Sequence, residues 1–301
     1  MLRPAIGLTD IFPQHGEAYR AKHKHPREHL RVMRLLETWR TATLRGHVEK
    51  CSPCDHIRIA YNSCRNRHCP KCQGSKRVKC LESRQEELLP VQYFDVVFTA
   101  PEQVARIAFH NKREVHDILF AATAQTPATI ARDPTHVGAE PSFFAILHTG
   151  GQNLLHHPHL HSVVPGGGLS PDGTEWLGCR KGFFLPVRVL SPLFRCLFLE
   201  ALEKAHQKGA LRFSGELADL PGEDSFLPYL APLRKAEWVV YSKPPFGGPL
   251  QALRYLGRYT HRVAISHQRI LKVGEGRVTF QWKGLSPKGE TELFGDDPSG
   301  R

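Results

Sequence analysis

The spacing of apolar and polar positions changes near residue 90. Beyond this point, short apolar runs closed by proline or glycine are typical of strands, and stretches with a helical period lie between them. The strand-like runs are 93–101, 143–151, 155–168 and 235–245, and the helical stretches end near 124, at 207 and at 264. The second and third runs are too close for a crossover helix, so we expect them to pair antiparallel. The pattern predicts an α+β fold with helices packed on a mainly antiparallel sheet.

The first quarter of the chain shows a different pattern. Residues 26–44 have a helical period that places Leu30, Met33, Leu36 and Trp39 on one face and arginines on the other. The contrast with the later residues predicts two domains, a helical N-terminal domain over 1–82 and a larger domain over 83–301.

The distribution of charge agrees with this division. The chain has 41 Lys and Arg against 29 Asp and Glu, a formal charge of +12. Residues 1–81 hold 17 of these cations and 6 of these anions, whereas the rest of the chain holds 24 and 23. A basic module joined to a nearly neutral body is typical of a protein that grips DNA or RNA, although a solvated basic helix face has the same composition.

Two classes of protein are disfavoured by what the sequence lacks. It has no run of about 18 apolar residues, so no membrane span is expected, and the first residues have no secretory signal pattern. It also lacks the G-x-x-x-x-G-K-[ST] phosphate loop, so no nucleoside triphosphate is expected as an energy source. We therefore expect a cytoplasmic protein with an acidic partner.

Six of the eight cysteines lie between Cys51 and Cys80. Two C-x2-C pairs, Cys51 with Cys54 and Cys69 with Cys72, have the spacing of a four-thiolate zinc site. Cys64 and His68 lie in the same stretch, so a set made of Cys64, His68, Cys69 and Cys72 remains an alternative. A disulfide framework is disfavoured because a cytosolic chain keeps its thiols reduced. Cations around the cysteines are candidates for contacts with DNA phosphates: Arg65, Arg67 and Lys71.

Histidines are concentrated in and before the third strand-like run. His159 and His161 alternate along it, so both imidazoles project from one face of the strand, with Cα atoms about 7 Å apart. Two ligands on one rigid face are suited to a single metal ion. His148 and Gln152 lie close in sequence, and either side chain is a candidate for a further ligand.

The last helical stretch contains Tyr255 and Tyr259, four residues apart and therefore on one face. Two such tyrosines often belong to a core or an interface. Arg258 and Arg262 make this helix cationic, which suits contact with a phosphate backbone. The phenols are then candidates either for attack on phosphorus or for stacking on bases.

Three segments together carry a family resemblance. YNSCRNRHCPKCQ (61–73), HHPHLHSVVPGGGLS (156–170) and YLGRYTHRVAIS (255–266) occur in this order, and the chain resembles the rolling-circle transposases of the bacterial "insertion sequence 91" type. The resemblance implies an N-terminal zinc-binding domain followed by a His-hydrophobe-His endonuclease domain on a ferredoxin-like core. It also implies single-stranded DNA at the element ends and target as the partner, with no membrane and no nucleotide triphosphate.

The resemblance also implies roles for particular residues. His159 and His161 match the ligands of a catalytic Mg²⁺ or Mn²⁺ ion. Tyr255 and Tyr259 match the paired nucleophiles of the family. The zinc ligands of the family correspond to four cysteines of this chain: Cys51, Cys54, Cys69 and Cys72. The expected reaction is nicking of single-stranded DNA through a 5′-phosphotyrosine intermediate, followed by strand transfer in rolling-circle transposition, in a bacterial cytoplasm and near the nucleoid. Two alternatives are a plasmid-type replication initiator or relaxase, and a C-terminally truncated copy that binds DNA without nicking it.

Overall fold

A computed structural model describes residues 7–150, 155–243, 245–261, 263, 265–266, 269–274 and 277–281, and the backbone of 293–294. Its helices are α1 (Leu8–Lys22), α2 (Arg27–Glu37), α3 (Pro70–Arg84), α4 (Glu102–His110), α5 (Lys112–Arg132), α6 (Val187–Gln207), α7 (Glu223–Lys235) and α8 (Pro249–Thr260). Its strands are β1 (Gly46–Lys50), β2 (Ile57–Tyr61), β3 (Tyr93–Thr99), β4 (Phe144–Gly150), β5 (His156–Pro165), β6 (Gly167–Leu169), β7 (Trp176–Gly178), β8 (Val240–Ser242), β9 (Ile270–Gly274), β10 (Arg277–Gln281) and β11 (Leu293–Phe294). Among these described helices, none has both the length and the apolar character required to cross a membrane.

The chain forms two compact units. The first contains residues 1–83 and 257–301, and the second contains residues 84–256, so the boundary falls within α8. The division after Ser83 lies beside the domain boundary expected from the sequence. The grouping of residues 257–301 with the N-terminal residues had no counterpart in the sequence pattern.

The second unit is built on a four-stranded antiparallel sheet with the order β4-β5-β3-β8. Helices α4 and α5 connect β3 to β4, a short link joins β4 to β5, and α6 and α7 precede β8. This strand order and connectivity is the ferredoxin-like arrangement of two split β-α-β units. The predicted α+β class, the antiparallel pairing of β4 with β5 and the ferredoxin-like core are confirmed.

The core of this unit lies on one face of the sheet. Along β3 the even-numbered residues Phe94, Val96 and Phe98 belong to the hydrophobic core, and Leu160 of β5 lies opposite Phe98. Helices α4 to α7 supply many of the other large members of this core, and the loops around α6 and α7 supply others, such as Phe184 and Trp238. Each fully buried Leu or Phe stabilises the fold by about 1.5–3 kcal/mol. Because side chains alternate along a strand, the odd-numbered residues of β3 and β5 are left on the opposite face.

The first unit has a much smaller core. Its buried cluster consists of Leu36, Cys69 and Cys72, with Trp39 and Cys64 among the partly buried side chains packed against it. The β1–β2 hairpin is exposed along most of its length, and its apolar residues Val48, Ile57 and Ile59 face solvent. Two of the three buried residues in this cluster are cysteines, so among the described residues of this unit the cysteines are a large part of what is buried.

Two elements are shorter than the apolar pattern predicts. The helix expected over 26–44 ends at Glu37, because Arg40 has a left-handed backbone conformation with φ of 53° that a helix does not accommodate. The strand expected over 235–245 is reduced to β8. Hydrogen bonds to β3 continue at both ends of β8, from the Thr99 N–H to the Val239 carbonyl and from the Lys243 N–H to the Asp95 carbonyl. Before Val239, the indole N–H of Trp238 donates to the carbonyl of Leu233, which holds the chain against the end of α7.

Candidate active site

Three histidines meet on the face of the sheet opposite the core. His148 on β4 is the cross-strand partner of His159 on β5, and His161 follows on the same face of β5. Their ring centroids are 4.9 to 5.3 Å apart. Each of the three imidazoles has one ring nitrogen that lies within 4.8 Å of a ring nitrogen of the other two imidazoles. The structure therefore brings the predicted pair His159 and His161 together with His148, whereas Gln152 lies outside the described residues.

Hydrogen bonds fix the orientation of two of these rings. His159 Nδ1 is 2.7 Å from the carbonyl oxygen of His157, and His161 Nδ1 is 3.3 Å from Oδ1 of Asp95. Because a carbonyl or carboxylate oxygen only accepts, the proton of each imidazole lies on Nδ1. The Nε2 lone pairs are then available to a metal ion, and an N–H bonded to a carbonyl or carboxylate is the usual support for a histidine ligand.

The structure adds Asp95, which the sequence analysis did not single out. This residue is fully buried on β3, one diagonal step from His161 across the sheet. Burial raises the pKa of its carboxyl, but hydrogen bonds from His161, Lys243 and Tyr255 outweigh burial and hold that pKa below its ordinary value. Asp95 therefore carries a negative charge behind the histidines at neutral pH.

Tyr255 on α8 completes this cluster. Its hydroxyl donates to Oδ2 of Asp95 and lies 3.0 Å from Nδ1 of His161. Lys243 donates to the same phenol oxygen over 3.1 Å and to Oδ2 of Asp95 over 2.7 Å. The side chain of Tyr255 is 8% exposed, and its ring packs 5.0 Å from that of Phe246. A nucleophile in this position has an acceptor for its proton and a cation beside its oxygen.

The other predicted residues of α8 are not part of this cluster. Tyr259 lies one helical turn after Tyr255, is half-buried and belongs to the first unit. Arg258 is exposed on the same helix. Arg262 lies outside the described residues. Of the two tyrosines, Tyr255 is the one that the structure places beside the histidines.

The three imidazoles form a donor set that fits a divalent transition-metal ion. Imidazole nitrogen suits the later transition metals, whereas Mg²⁺ prefers carboxylate, carbonyl and water oxygens. Among the described residues, the metal-like cluster in this unit contains only His148, His159 and His161 as donors. Of the two predicted ions, Mn²⁺ is the transition metal, so it accepts nitrogen ligands more readily than Mg²⁺ does, although imidazole binds it more weakly than the later metals.

A second cluster of metal-ligand type lies in the first unit. Cys64, Cys69 and Cys72 have their sulfur atoms within 4.8 Å of one another, and the Cys64 and Cys72 sulfurs are 3.7 Å apart. Burial raises the pKa of Cys69 to about 12. A coordinated zinc ion deprotonates such a thiol outright, because its charge stabilises the thiolate.

The remaining predicted zinc ligands are placed elsewhere. Cys51 and Cys54 are exposed in the turn between β1 and β2, and His68 is exposed near the end of the loop before α3. None of the three belongs to the cluster of Cys64, Cys69 and Cys72. The structure thus assembles the alternate Cys64 with one predicted C-x2-C pair and leaves the other pair at the hairpin tip.

The predicted DNA-contacting residues of the first unit lie at its surface. Arg65 and Arg67 are exposed in the loop before α3, and Lys71 is half-buried in the first turn of that helix. Arg65 and Lys71 line the same cavity of the first unit.

Two family models match the chain. Residues 142–293 match a family described as "Putative transposase", and residues 11–100 match a "Transposase zinc-binding domain". The first match contains the three histidines and Tyr255, and the second contains all the cysteines between 51 and 80. The two matches thus separate the cysteines from the histidines and Tyr255, although Asp95 falls within the second match.

Individual relatives agree with these family models. The chain is 60% identical over 284 residues to "Putative transposase y4qJ" of Sinorhizobium fredii, covering 94% of this chain and 71% of that protein. It is 25% identical over 223 residues to the transposase for insertion sequence element IS801 of Pseudomonas savastanoi pv. phaseolicola. That match covers 74% of this chain and 52% of the relative.

Solved structures similar to the chain include DNA complexes of the conjugative relaxase TrwC. One match covers 81% of this chain and 87% of TrwC at 12% identity and a TM-score of 0.30. Another match covers 44% of this chain and 48% of the TrwC chain, at 16% identity and a TM-score of 0.30. Family membership rests on the sequence matches, which extend over both units and confirm the resemblance: the chain belongs to the transposases of the bacterial insertion sequence 91 family.

Proposed function

We propose that this chain nicks single-stranded DNA and transfers strands in rolling-circle transposition, with Tyr255 as the nucleophile of the site described above. The observation that carries the proposal is the placement of the Tyr255 hydroxyl against Asp95 and Lys243, beside three histidines. A buried tyrosine in a structural role needs one hydrogen-bond partner. This one meets a carboxylate, an ammonium group and an imidazole, which is an arrangement suited to nucleophilic attack.

The proposed step is a transesterification at a phosphodiester. The phenol oxygen of Tyr255 attacks phosphorus, and its proton passes to the Asp95 carboxylate that already accepts it in a hydrogen bond. The bond between phosphorus and the 3′ oxygen breaks, and the 3′ oxygen takes a proton from water to leave as a hydroxyl. The products are a 5′-phosphotyrosine and a free 3′-OH. Because one phosphoester replaces another, a later 3′-OH reverses the step without a nucleoside triphosphate.

Chain residues divide the supporting tasks. Lys243 donates to the phenol oxygen and stabilises the negative charge that develops on it during attack. Asp95 holds His161 in the tautomer that presents Nε2. His148, His159 and His161 would hold a divalent ion, Mn²⁺ rather than Mg²⁺, which when bound polarises the scissile phosphate.

The first unit is proposed to hold zinc and DNA. Cys64, Cys69 and Cys72 are the proposed core of the zinc site, with a fourth ligand drawn from Cys51, Cys54 or His68. The excess of cations in residues 1–81 supplies contacts with phosphates. Single-stranded DNA at the element ends and at the target is the proposed partner, and Arg258 and Arg262 are proposed to contact its backbone near the tyrosine helix.

The test is formation of a covalent protein–DNA adduct. The full chain is incubated with Mn²⁺ and a 3′-labelled, single-stranded oligonucleotide from an element end, so that the label stays on the fragment joined to the tyrosine, and the adduct is resolved by denaturing electrophoresis. Tyr255→Phe is expected to lower the rate of adduct formation by about 1,000-fold or more, since the nucleophile is removed. Tyr259→Phe is the matched control, and we expect it to retain first-strand cleavage.

The outcomes separate three possibilities. Loss of the adduct in Tyr255→Phe alone supports the proposal. Loss only in the double substitution of Tyr255 and Tyr259 would mean that either tyrosine attacks first. An adduct that persists in the double substitution would overturn tyrosine chemistry altogether, and salt-dependent DNA binding without any adduct would favour a protein that acts by occupancy.

A further inference from the structure

The first unit contains a cavity of about 350 Å³ that is unrelated to the histidine site. The described residues that line it include no carboxylate, but one aromatic ring and five cations: Trp39, Arg40, Arg65, Lys71, Lys76 and Lys79. Its volume is at the lower end of the range of ligand sites, about 300–1,000 Å³. A space of this size suits one nucleotide or less.

Two segments that are remote in sequence build the cavity. Cys72, Ser75, Lys76 and Lys79 lie along one face of α3, because positions i, i+3, i+4 and i+7 follow the helical period, and Lys71 precedes Cys72 at the edge of that face. Arg40 follows the end of α2, and Arg65 precedes α3. The ammonium group of Lys76 donates to the Arg65 carbonyl over 3.4 Å, and the Arg65 backbone N–H bonds the Cys72 thiol. The cavity wall is thus tied directly to the cysteine cluster.

The two arginines have an unusual backbone conformation. Arg40 has φ of 53° and Arg65 has φ of 51°, which is the left-handed region that favours glycine. Each such residue costs about 1 kcal/mol or more, and positions of this kind cluster at binding sites where the strain serves to place a side chain. Both of these strained arginines face the same cavity.

The positive charge of the cavity is poorly compensated. Within the described part of the chain, Arg40, Arg65, Lys76 and Lys79 make no ion pair with a carboxylate. Lys71 is 4.0 Å from Asp10, and its ammonium group lies 4.0 Å from the centroid of the Trp39 ring. Five cations around one space repel each other unless an anion enters it. The guanidinium groups of Arg40 and Arg65 have the planar geometry that matches a phosphate.

We propose that this cavity binds the backbone phosphate of a nucleotide in single-stranded DNA. This proposal rests on the proposed function in one respect, which is that DNA is the ligand. The site is separate from the one that reacts with Tyr255, and it assigns Arg40, Lys76 and Lys79 to DNA binding beside Arg65 and Lys71. In this arrangement the cysteine cluster positions the α3 face and the Arg65 loop, so that metal binding and phosphate binding in the first unit are linked.

The experiment measures DNA affinity as a function of salt. Fluorescence anisotropy follows binding of a labelled (dT)20 oligonucleotide to the full chain carrying Tyr255→Phe, without added Mn²⁺, at several NaCl concentrations. Adding Lys76→Gln and Lys79→Gln is expected to weaken binding about 10-fold and to reduce the slope of log affinity against log salt by about 1.4, or about 0.7 for each lost phosphate contact. Both side chains are exposed on α3, so the fold is retained.

The matched control is Lys22→Gln with Lys24→Gln, which removes the same charge from exposed positions of the same unit outside the cavity. It is expected to leave the salt slope within about 0.3 of the parent value. Equal slopes for the cavity variant and the control would overturn the proposal, as would absence of (dT)20 binding by the parent. A duplex oligonucleotide with the same dependence on Lys76 and Lys79 would assign the cavity to double-stranded DNA instead.

The proposed function and the phosphate cavity are tested by different assays, so either proposal can fail without the other. The adduct assay uses the chain with Tyr255 intact, and it depends on the histidine site. No adduct together with a changed salt slope would retain the phosphate cavity and remove the nicking activity. An adduct together with an unchanged slope would retain the nicking activity and overturn the phosphate cavity.

Discussion

The two units of this transposase differ in what holds them together. In the second unit, a large core covers one face of the β4-β5-β3-β8 sheet, and the three histidines and Asp95 lie on the other face. In the described part of the first unit, Cys69 and Cys72 are two of the three buried residues of the hydrophobic cluster. Scaffold and site are therefore separable in the second unit, whereas in this cluster the candidate metal ligands are themselves the buried residues.

Charge follows the same contrast. Residues 1–81 have 17 cations against 6 anions, and like charges oppose compaction of a small unit. A bound zinc ion, by contrast, supplies folding free energy of about 10–16 kcal/mol in small zinc domains. The basic unit can thus present cations to DNA without a large core. The second unit has a large apolar core, so we expect it to fold without a metal ion.

The strongest way to test this contrast is to remove a ligand from the first unit. Cys69→Ser is expected to release zinc and unfold that unit, because the residue is both fully buried and a candidate ligand. Zinc content is measured by mass spectrometry and folding by limited proteolysis. We expect rapid cleavage within residues 7–83 and persistence of a fragment that contains residues 84–256.

The control for this prediction is Cys196→Ser, which changes an exposed thiol in the second unit. It is expected to retain zinc and resistance to protease. If Cys69→Ser also retained both, the first unit would be stabilised by burial alone and the contrast between the units would be lost.

A core truncation in the second unit tests the other half of the contrast. Phe98 is fully buried, and its ring lies 5.0 Å from that of Phe194. Phe98→Ala is expected to lower the free energy of unfolding of this unit by about 3–5 kcal/mol while zinc stays bound. Urea unfolding followed by circular dichroism measures the loss. Phe120→Ala, at an exposed position of α5, should lower that free energy by less than about 1 kcal/mol.

The parts of this molecule that sequence predicted are those fixed by local spacing. His159 and His161 share a face because side chains alternate along β5, and the short link from β4 makes His148 their cross-strand neighbour. The cysteine pair Cys69 and Cys72 is likewise close in sequence and close in space. Such features follow from the geometry of one strand, one turn or one hairpin.

The parts that were missed depend on register between distant segments. Asp95 meets His161, 66 positions later, and Lys243, 148 positions later, only because β3 lies between β5 and β8. One local signal was available, since Asp95 is the only charged residue in the apolar run YFDVVFT. Lys243 gave no such signal. For zinc, two equal C-x2-C spacings did not show that the hairpin holds Cys51 and Cys54 at its exposed tip.

Separability in the second unit also predicts that a metal ligand can be lost without loss of the fold. His159→Ala is expected to weaken Mn²⁺ binding by about 100-fold, which corresponds to about 2.7 kcal/mol of binding free energy. The side chain is half-buried on the face opposite the core, so the free energy of unfolding without metal should change by less than about 1 kcal/mol. Calorimetric titration measures binding, and urea unfolding measures stability.

The exposed His136 supplies the comparison, and His136→Ala should alter neither quantity. A large loss of stability in His159→Ala would show that the histidine cluster also supports the fold. In that case the two units would resemble each other more than their cores indicate.

The smallest effect is expected at Lys243, which contacts the reacting group but is neither a candidate metal ligand nor a core residue. Its ammonium group donates to the phenol oxygen of Tyr255 over 3.1 Å and to Asp95 over 2.7 Å. Lys243→Gln keeps a donor and removes the charge, so the adduct should form about 10-fold more slowly, equivalent to about 1.4 kcal/mol of activation free energy. Mn²⁺ affinity should change by less than about 3-fold, because the hydrogen bond from His161 to Asp95 is retained.

Lys235→Gln, at an exposed position of α7, is the control for charge alone. Equal adduct rates for the two variants would show that Lys243 neutralises Asp95 without assisting Tyr255, and a parallel fall in Mn²⁺ affinity would place its effect on the histidines instead.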